Sequence, residues 1–287
     1  MKPRNCSLCG KSSTSGVVDG RIFVCFTCVY SPSYGNFTGK ILGRREKSTT
    51  FGLEMEQEIK DDKTIRAVAI AHVYSKIYSM KDDGSLRCGI EFVSPPFTRE
   101  YYFNEKKKIF GSIDITMLSW LFMRASTGGL HIHFKPVAPR RIVYDRIVYL
   151  AIENERLFDI VSGREDHRLE TWAIIPTKEN LNNFYRDDCG DILLESIISH
   201  NEKIHPLESK RQSINYHSEY QTIEIRLFST TDSSFRLNVD IQFVIALAGF
   251  AENNEICSGY SEKFINYIKN DVELKELNTF IKRFYES

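Results

Sequence analysis

The chain has 287 residues and 33.2 kDa, with 42% hydrophobic, 12% aromatic and 26% charged residues, a globular composition that excludes a disordered or fibrous protein. Lys and Arg number 38 against 38 Asp and Glu, and a net charge of zero argues against a protein whose main task is to neutralise phosphate backbones. No apolar run approaches the roughly 18 to 20 residues needed to cross a bilayer, and cysteines follow Met1 in place of a hydrophobic leader, so a cytoplasmic protein that makes no membrane contact is expected.

Four of the 7 cysteines lie in the first 28 residues, which suits a metal site in a reducing compartment better than a disulfide framework. Cys6-Ser7-Leu8-Cys9 and Cys25-Phe26-Thr27-Cys28 are two CxxC turns, each offering a pair of thiolates, with a hairpin-length segment between them. Val17, Val18, Ile22, Phe23 and Val24 are too few to bury a core, so a structural Zn²⁺ is expected to hold residues 1–30 folded as a ribbon. Bracing, protein docking and nucleic-acid contact are all common uses of such a ribbon. With Lys2, Arg4, Lys11 and Arg21 as its only basic residues, nucleic acid is the less favoured of them.

Residues 31–50 mix Pro, Gly, Ser, Thr and Asn with Lys40, Arg44, Arg45 and Lys47 without a period, and read as a linker to a large domain at 51–287. There Phe51, Leu53, Met55 and Ile59 alternate with Glu54, Glu56 and Glu58, the pattern of a half-buried strand. Ile65, Ala69, Val73, Ile77 and Met80 recur at helical spacing, and Lys81-Asp82-Asp83-Gly84-Ser85 should stop that helix. A strand is expected at Gly89 to Val93, ended by Ser94-Pro95-Pro96, then a helix at Ile115 to Arg124 and a strand at Leu130 to Phe134. One helix is expected over Arg140 to Phe158, a short one at Leu181 to Phe184, a strand at Thr222 to Ser229, and two helices over Phe235 to Phe250 and Glu262 to Tyr285. Ser94 to Lys108 and Arg186 to Asn215 read as specificity loops. Strands interspersed with helices imply an α+β fold, an antiparallel or mixed sheet backed by helices.

Several strands carry an unusual polar face. Glu54 with Glu56, His131 with His133, and Glu224 with Arg226 are each two residues apart, about 7 Å along one face. Glu91 joins them from a fourth strand, while Met55, Ile132 and Ile225 point to an apolar layer. Carboxylates crowded on one sheet repel unless cations sit among them. Glu with His and no thiolate suits Mg²⁺ or Mn²⁺ with a nucleotide phosphate as the remaining ligand. His72, His167, His200, His205 and His217 show no such pairing, and Arg164 reads as an exposed helix-end charge, with a phosphate contact as the alternative.

FGLEMEQE, KDDGSL followed by GIEFVSPPF, GGLHIHF and QTIEIRLF stand in order over most of the stretch from Phe51 to about Phe250. In that order and spacing they resemble the amidoligase family, carboxylate-amine ligases similar to glutamine synthetase and glutamate-cysteine ligase. The ribbon lies outside the resemblance.

The resemblance implies a glutamine-synthetase-like fold and an ATP-dependent enzyme that forms an amide or isopeptide bond through an acyl phosphate. The implied substrates are a carboxylate and an amine on a peptide, protein or amino acid. It implies two divalent ions: Glu54 and Glu56 divided between them, Glu91 completing the first, His131 and Glu224 completing the second. His133 would face nucleotide or phosphate, Arg226 would stabilise the transferring phosphoryl group, Asp83 and Ser85 would lie near substrate, and Arg211 and Asn215 near nucleotide or substrate. The base that takes the amine proton stays open among Glu58, Asp83 and Glu91. The competing expectation is an adaptor whose ribbon binds a protein or nucleic acid and whose ligase-like domain is degenerate. A third is metal-dependent hydrolysis on the same carboxylate and histidine set.

Overall fold

The computed structural model describes residues 3–6, 11–19, 22–25, 33–34, 41–43, 47–59, 79–83, 89–110, 122–123, 128–164, 173–176, 184–186, 192–194, 212–217, 220–231 and 233–285. Among them the fold is mixed α+β, with antiparallel strand pairs and six helices. Two compact units are present, each discontinuous in sequence: Met1–Arg44 with Gly52–Leu130 and Thr230–Ser234, and Arg45–Phe51 with His131–Ser229 and Phe235–Ser287.

In the first unit β1 (Arg4–Asn5) pairs with β2 (Ser12–Ser13), and β3 (Gly16–Asp19) forms a hairpin with β4 (Ile22–Cys25) that sets Gly16 opposite Cys25. The sheet that follows is built from β5 (Ser33–Tyr34), β6 (Thr50–Ile59), β7 (Ser79–Asp83) and β8 (Gly89–Val93), in the order β6-β8-β7-β5. The two-residue strands β9 (Phe97–Thr98) and β10 (Phe122–Met123) also pair with β6. Along β6, Leu53 and Met55 are buried while Glu54 and Glu56 are half-buried, as alternation requires.

Within the expected linker, Ser33 and Tyr34 pair with Lys81 and Met80, and Leu42 bridges to Phe97. Gly43 has φ 73°, and a Cβ there would stand 2.6 Å from Cβ of Tyr101, so glycine is required by both backbone and space.

Three sequence expectations fail in this unit. Met80 to Asp83 do not end a helix: they belong to β7, whose Asp83 stands opposite Gly89, so the backbone finds its partners on β8 and pairing overrides helical spacing. The rest of that expected helix, 65–78, lies outside the described residues. Phe122 and Met123, expected in a helix, pair with Ile59 and Glu58 as a strand, the remainder of that expectation again lying outside. Of the loop expected after Pro96, Arg99–Phe110 is helix α1, anchored by buried Tyr102, which packs against Phe97 and Phe103.

In the second unit, which takes up β11 (Gly129–Lys135) from His131 onward, that strand leads to α2 (Arg140–Glu153) and α3 (Glu155–Ser162). The single helix expected here breaks at Asn154, whose Nδ2 donates to Leu150 O while its own carbonyl accepts from Leu157 and Phe158. One asparagine thus ends one helix and starts the next, in keeping with its preference for caps. β12 (Phe184–Arg186) pairs with β13 (Ile192–Leu194). Phe184 therefore opens a strand where a helix was expected, with 181–183 outside the described residues. β14 (Ile214–His217) and β15 (Thr222–Ser229) are antiparallel, with β15 between β14 and β11.

Helices α4 (Ser234–Asn253), α5 (Tyr260–Asn270) and α6 (Lys275–Tyr285) complete the unit. The last two were expected as one. Asp271 parts them, its carboxylate accepting the Glu273 N–H at 3.1 Å. By length and hydropathy α4 meets the bilayer-spanning criterion that no segment was expected to meet, and 72% of its apolar window is buried inside the fold. It is apolar all round because it is the core helix. Its Phe243 packs edge-on against Phe158, Phe228 and Phe264, from α3, β15 and α5.

Candidate functional site

Strand register in the first unit sets Glu56 of β6 opposite Glu91 of β8, with Glu54 two residues away on the same strand face. Like charges directly across an antiparallel pair repel, so this placement calls for a compensating donor or cation. One donor is backbone: the Gly129 N–H reaches Oε2 of Glu56 at 3.0 Å. Asp83 lies at the end of β7, opposite Gly89. Ser85 lies outside the described residues. In the segment expected to form the ribbon, Cys6 and Cys25 are buried, and the Cys25 N–H points at Sγ of Cys6 at 3.3 Å. Cys9 and Cys28 lie outside the described residues.

The second unit gathers its polar groups around one carboxylate. Alternation directs Ile223, Ile225 and Leu227 of β15 into the core and Glu224 to the other face, yet Glu224 is only 3% exposed. The expected wet face is in fact covered here. His131 of β11, 4% exposed, brings Nδ1 to 3.6 Å from Oε1 of Glu224, and His133 brings Nε2 to 3.6 Å from the same oxygen. Arg226, two residues along β15, donates from Nη1 to Oε1 at 3.0 Å. From β14, Asn215 Nδ2 stands 3.4 Å from Oε2 and His217 Nε2 2.8 Å from it.

These contacts decide the charge state of Glu224. Burial pushes its carboxyl up, but the His217 hydrogen bond and then the charges of Arg226, His133 and His131 outweigh burial and hold it down at about 2. The glutamate is therefore a buried, permanently ionised anion at neutral pH, surrounded by three imidazoles and a guanidinium.

Sequence reasoning missed His217. It belongs to INYH, whose Asn215 was already singled out, and period two places residue 217 on the same face of β14 as residue 215. His72, His167, His200 and His205 lie outside the described residues, as does Arg211. His133, His217 and Glu224 each present a ligand atom within 4.8 Å of the others, a grouping that could hold a metal ion.

Arg164 is neither an exposed helix-end charge nor aimed at a phosphate. Its Nε donates to Leu227 O at 3.0 Å and its Nη2 to Phe228 O at 2.7 Å. Among the described residues β14 pairs with β15 as far as Ile225, after which Arg226 N–H bonds Ser213 O, and the guanidinium ties down the carbonyls of the two residues that follow. Gly163, in the left-handed region at φ 61°, turns the chain out of α3 so that Arg164 can reach the strand. Arg164 is thus a support for the strand that carries Glu224 and Arg226.

No protein-family model matches the chain, and none of the curated proteins matches it.

Proposed function

We propose that the chain is an ATP-dependent carboxylate-amine ligase of the glutamine-synthetase-like type, preceded by a structural zinc ribbon. The single observation that carries this is the Glu224 centre: an ionised glutamate, 3% exposed, contacted by both histidines of the HIH motif and by the arginine of EIR. Two motifs widely separated in sequence, each singled out by the family resemblance, supply the same cluster. Decay of an enzyme into a binding scaffold removes the need to bury such a charge, which costs several kcal/mol unless it is compensated, and this favours an enzyme over an adaptor.

The chemistry explains the residue types. A carboxylate does not react with an amine at neutral pH because its oxygen is a poor leaving group. Transfer of the γ-phosphoryl of ATP to that oxygen gives an acyl phosphate and ADP. The amine nitrogen then forms its bond to the acyl carbon as the carbon-to-phosphate-oxygen bond breaks, giving amide and inorganic phosphate, with the amine proton passing to a base. Phosphoryl transfer needs positioning and positive charge more than covalent help, and divalent ions supply that charge when bound. In this assignment Glu54, Glu56, Glu91, His131 and Glu224 serve as metal ligands. Arg226, whose Nε is buried without a hydrogen-bond partner among the described residues, is the guanidinium available to a phosphoryl oxygen. His133, Asn215 and Arg211 are assigned to nucleotide, and Asp83 and Ser85 to substrate. The ribbon assignment rests on the buried Cys6 and Cys25 at the base of the β3–β4 hairpin.

The test is phosphate release from ATP by purified protein with Mg²⁺ or Mn²⁺ across pools of carboxylates and amines. Release that requires both substrates is the expected result. Absence of nucleotide binding together with unchanged metal binding by Glu54→Ala would overturn the proposal, and acyl turnover without ATP would mark a hydrolase instead.

A further inference from the structure

We infer that the Glu224 centre is a three-ligand site for a borderline transition-metal ion of the Zn²⁺ or Co²⁺ kind, rather than for Mg²⁺, and that His217 confers this preference. The inference rests on the ligase assignment only in placing a metal at Glu224, and it gives His133 and Asn215 metal-centre roles in place of nucleotide contact; neither ATP nor ligation enters its test.

Glu224, His133 and His217 come from β15, β11 and β14, and their ligand atoms lie within 4.8 Å of one another. His217 Nε2 and Glu224 Oε2 are 2.8 Å apart. Metal bonds of about 2.0 to 2.1 Å in a tetrahedral site would set neighbouring ligand atoms roughly 3.3 Å apart, so ion entry needs this pair to open by only about half an ångström. The two imidazole rings lie with centroids 5.9 Å apart and planes tilted by 35°.

Donor chemistry sets the choice of ion. Mg²⁺ takes oxygen ligands and retains several waters, whereas two imidazoles and one carboxylate suit Zn²⁺, Co²⁺ and their neighbours. Burial is graded across the set: the Glu224 side chain is 4% exposed, that of His133 23% and that of His217 40%. A buried anion at the base and two imidazoles toward solvent leave a coordination position on the open side, the plan of a site that takes a further ligand. Asn215, which donates to Gln212 O at 3.1 Å and stands beside Glu224 Oε2, is the outer-sphere group that orients the carboxylate.

The experiment titrates full-length protein with Co²⁺, followed by visible absorption and calorimetry in the presence of excess Mg²⁺. Thiolate-bound Co²⁺ at the ribbon shows intense sulfur charge-transfer bands in the near ultraviolet; a site of two imidazoles and a carboxylate shows only the weaker visible bands. The expected result is about one equivalent of Co²⁺ without charge transfer, retained against Mg²⁺, and weakened at least about tenfold in His217→Ala. Because His217 is partly exposed, this variant should fold, which its melting curve verifies; His133→Ala should give the same loss. Displacement by Mg²⁺, or unchanged Co²⁺ affinity in His217→Ala, would overturn the inference. A protein that keeps this Co²⁺ site but never uses ATP would refute the ligase and leave the metal site standing.

Discussion

His217 Nε2 lies 2.8 Å from Oε2 of Glu224, although register sets Asn215, and not His217, opposite that glutamate. The contact is a diagonal across an antiparallel pair, within reach of a long side chain meeting a ring. It makes β14 a contributor to the centre along with β11 and β15.

Glu224→Gln keeps the shape of the side chain and removes its charge. Under the inferred metal site, metal affinity at the centre should fall by at least about 100-fold, since loss even of a supporting partner costs ten- to hundredfold. Under the proposed function, ATP-dependent turnover should fall with it. Calorimetry on the variant checks the first, and phosphate release the second; undiminished affinity would remove Glu224 from the ligand set.

Asp240 in α4 behaves in the opposite sense to Glu224. Its burial pushes the carboxyl up to about 7 against the opposing effect of Arg236, whose Nε lies 2.9 Å from Oδ1. An unfolded aspartate titrates near 3.9, so the folded chain holds the extra proton between about pH 4 and about pH 7. The stability contributed by this group is complete below the unfolded value and declines as pH rises through the folded one. Asp240→Asn lacks that decline. The variant's Tm should therefore gain on the wild type by about 2 °C or more between about pH 5 and about pH 8. A constant difference would mean that the carboxyl is already ionised at the lower pH.

Arg164→Ala should destabilise the protein by about 2 kcal/mol, because it strips donors from carbonyls that receive charge-assisted hydrogen bonds. Arg164→Lys should recover less than half of this, since an ammonium cannot reproduce the planar fork. Urea denaturation of the three proteins distinguishes this from a surface charge, for which both substitutions would be nearly neutral.

Under the proposed zinc ribbon, Cys6→Ser should abolish zinc retention there, lowering bound zinc by about one equivalent in metal analysis and removing the cobalt-thiolate bands. Retention of the full zinc content would separate Cys6 from the ligand set.

Much of this organisation was legible where side-chain alternation and burial agree. Thr222 to Ser229 and Gly89 to Val93 match their strands, and Leu130 to Phe134 lies within its strand, because one face of each is continuously apolar. The spacing of Met80 with Ile77 and Val73 misled because short strands and helix ends can carry the same few apolar residues, and only pairing with β8 settles the conformation. The site was legible as pairs two residues apart: Glu224 with Arg226 and His131 with His133 indeed share one cluster. His217 was not, because its role depends on which strand lies beside β15, a long-range pairing that spacing does not encode. The breaks at Asn154 and Asp271 were hidden for a related reason: both residues are tolerated within a helix, and their capping bonds appear only with the neighbouring turn in place.

The short reach of β14 has a consequence for association between molecules. Carbonyls left unpaired at a strand edge are the template on which strands from different chains add to one another, and β14 pairs with β15 only as far as Ile225 among the described residues. With Leu227 O and Phe228 O already occupied by Arg164, those two carbonyls of the strand bearing Glu224 and Arg226 are closed to such edge-to-edge addition.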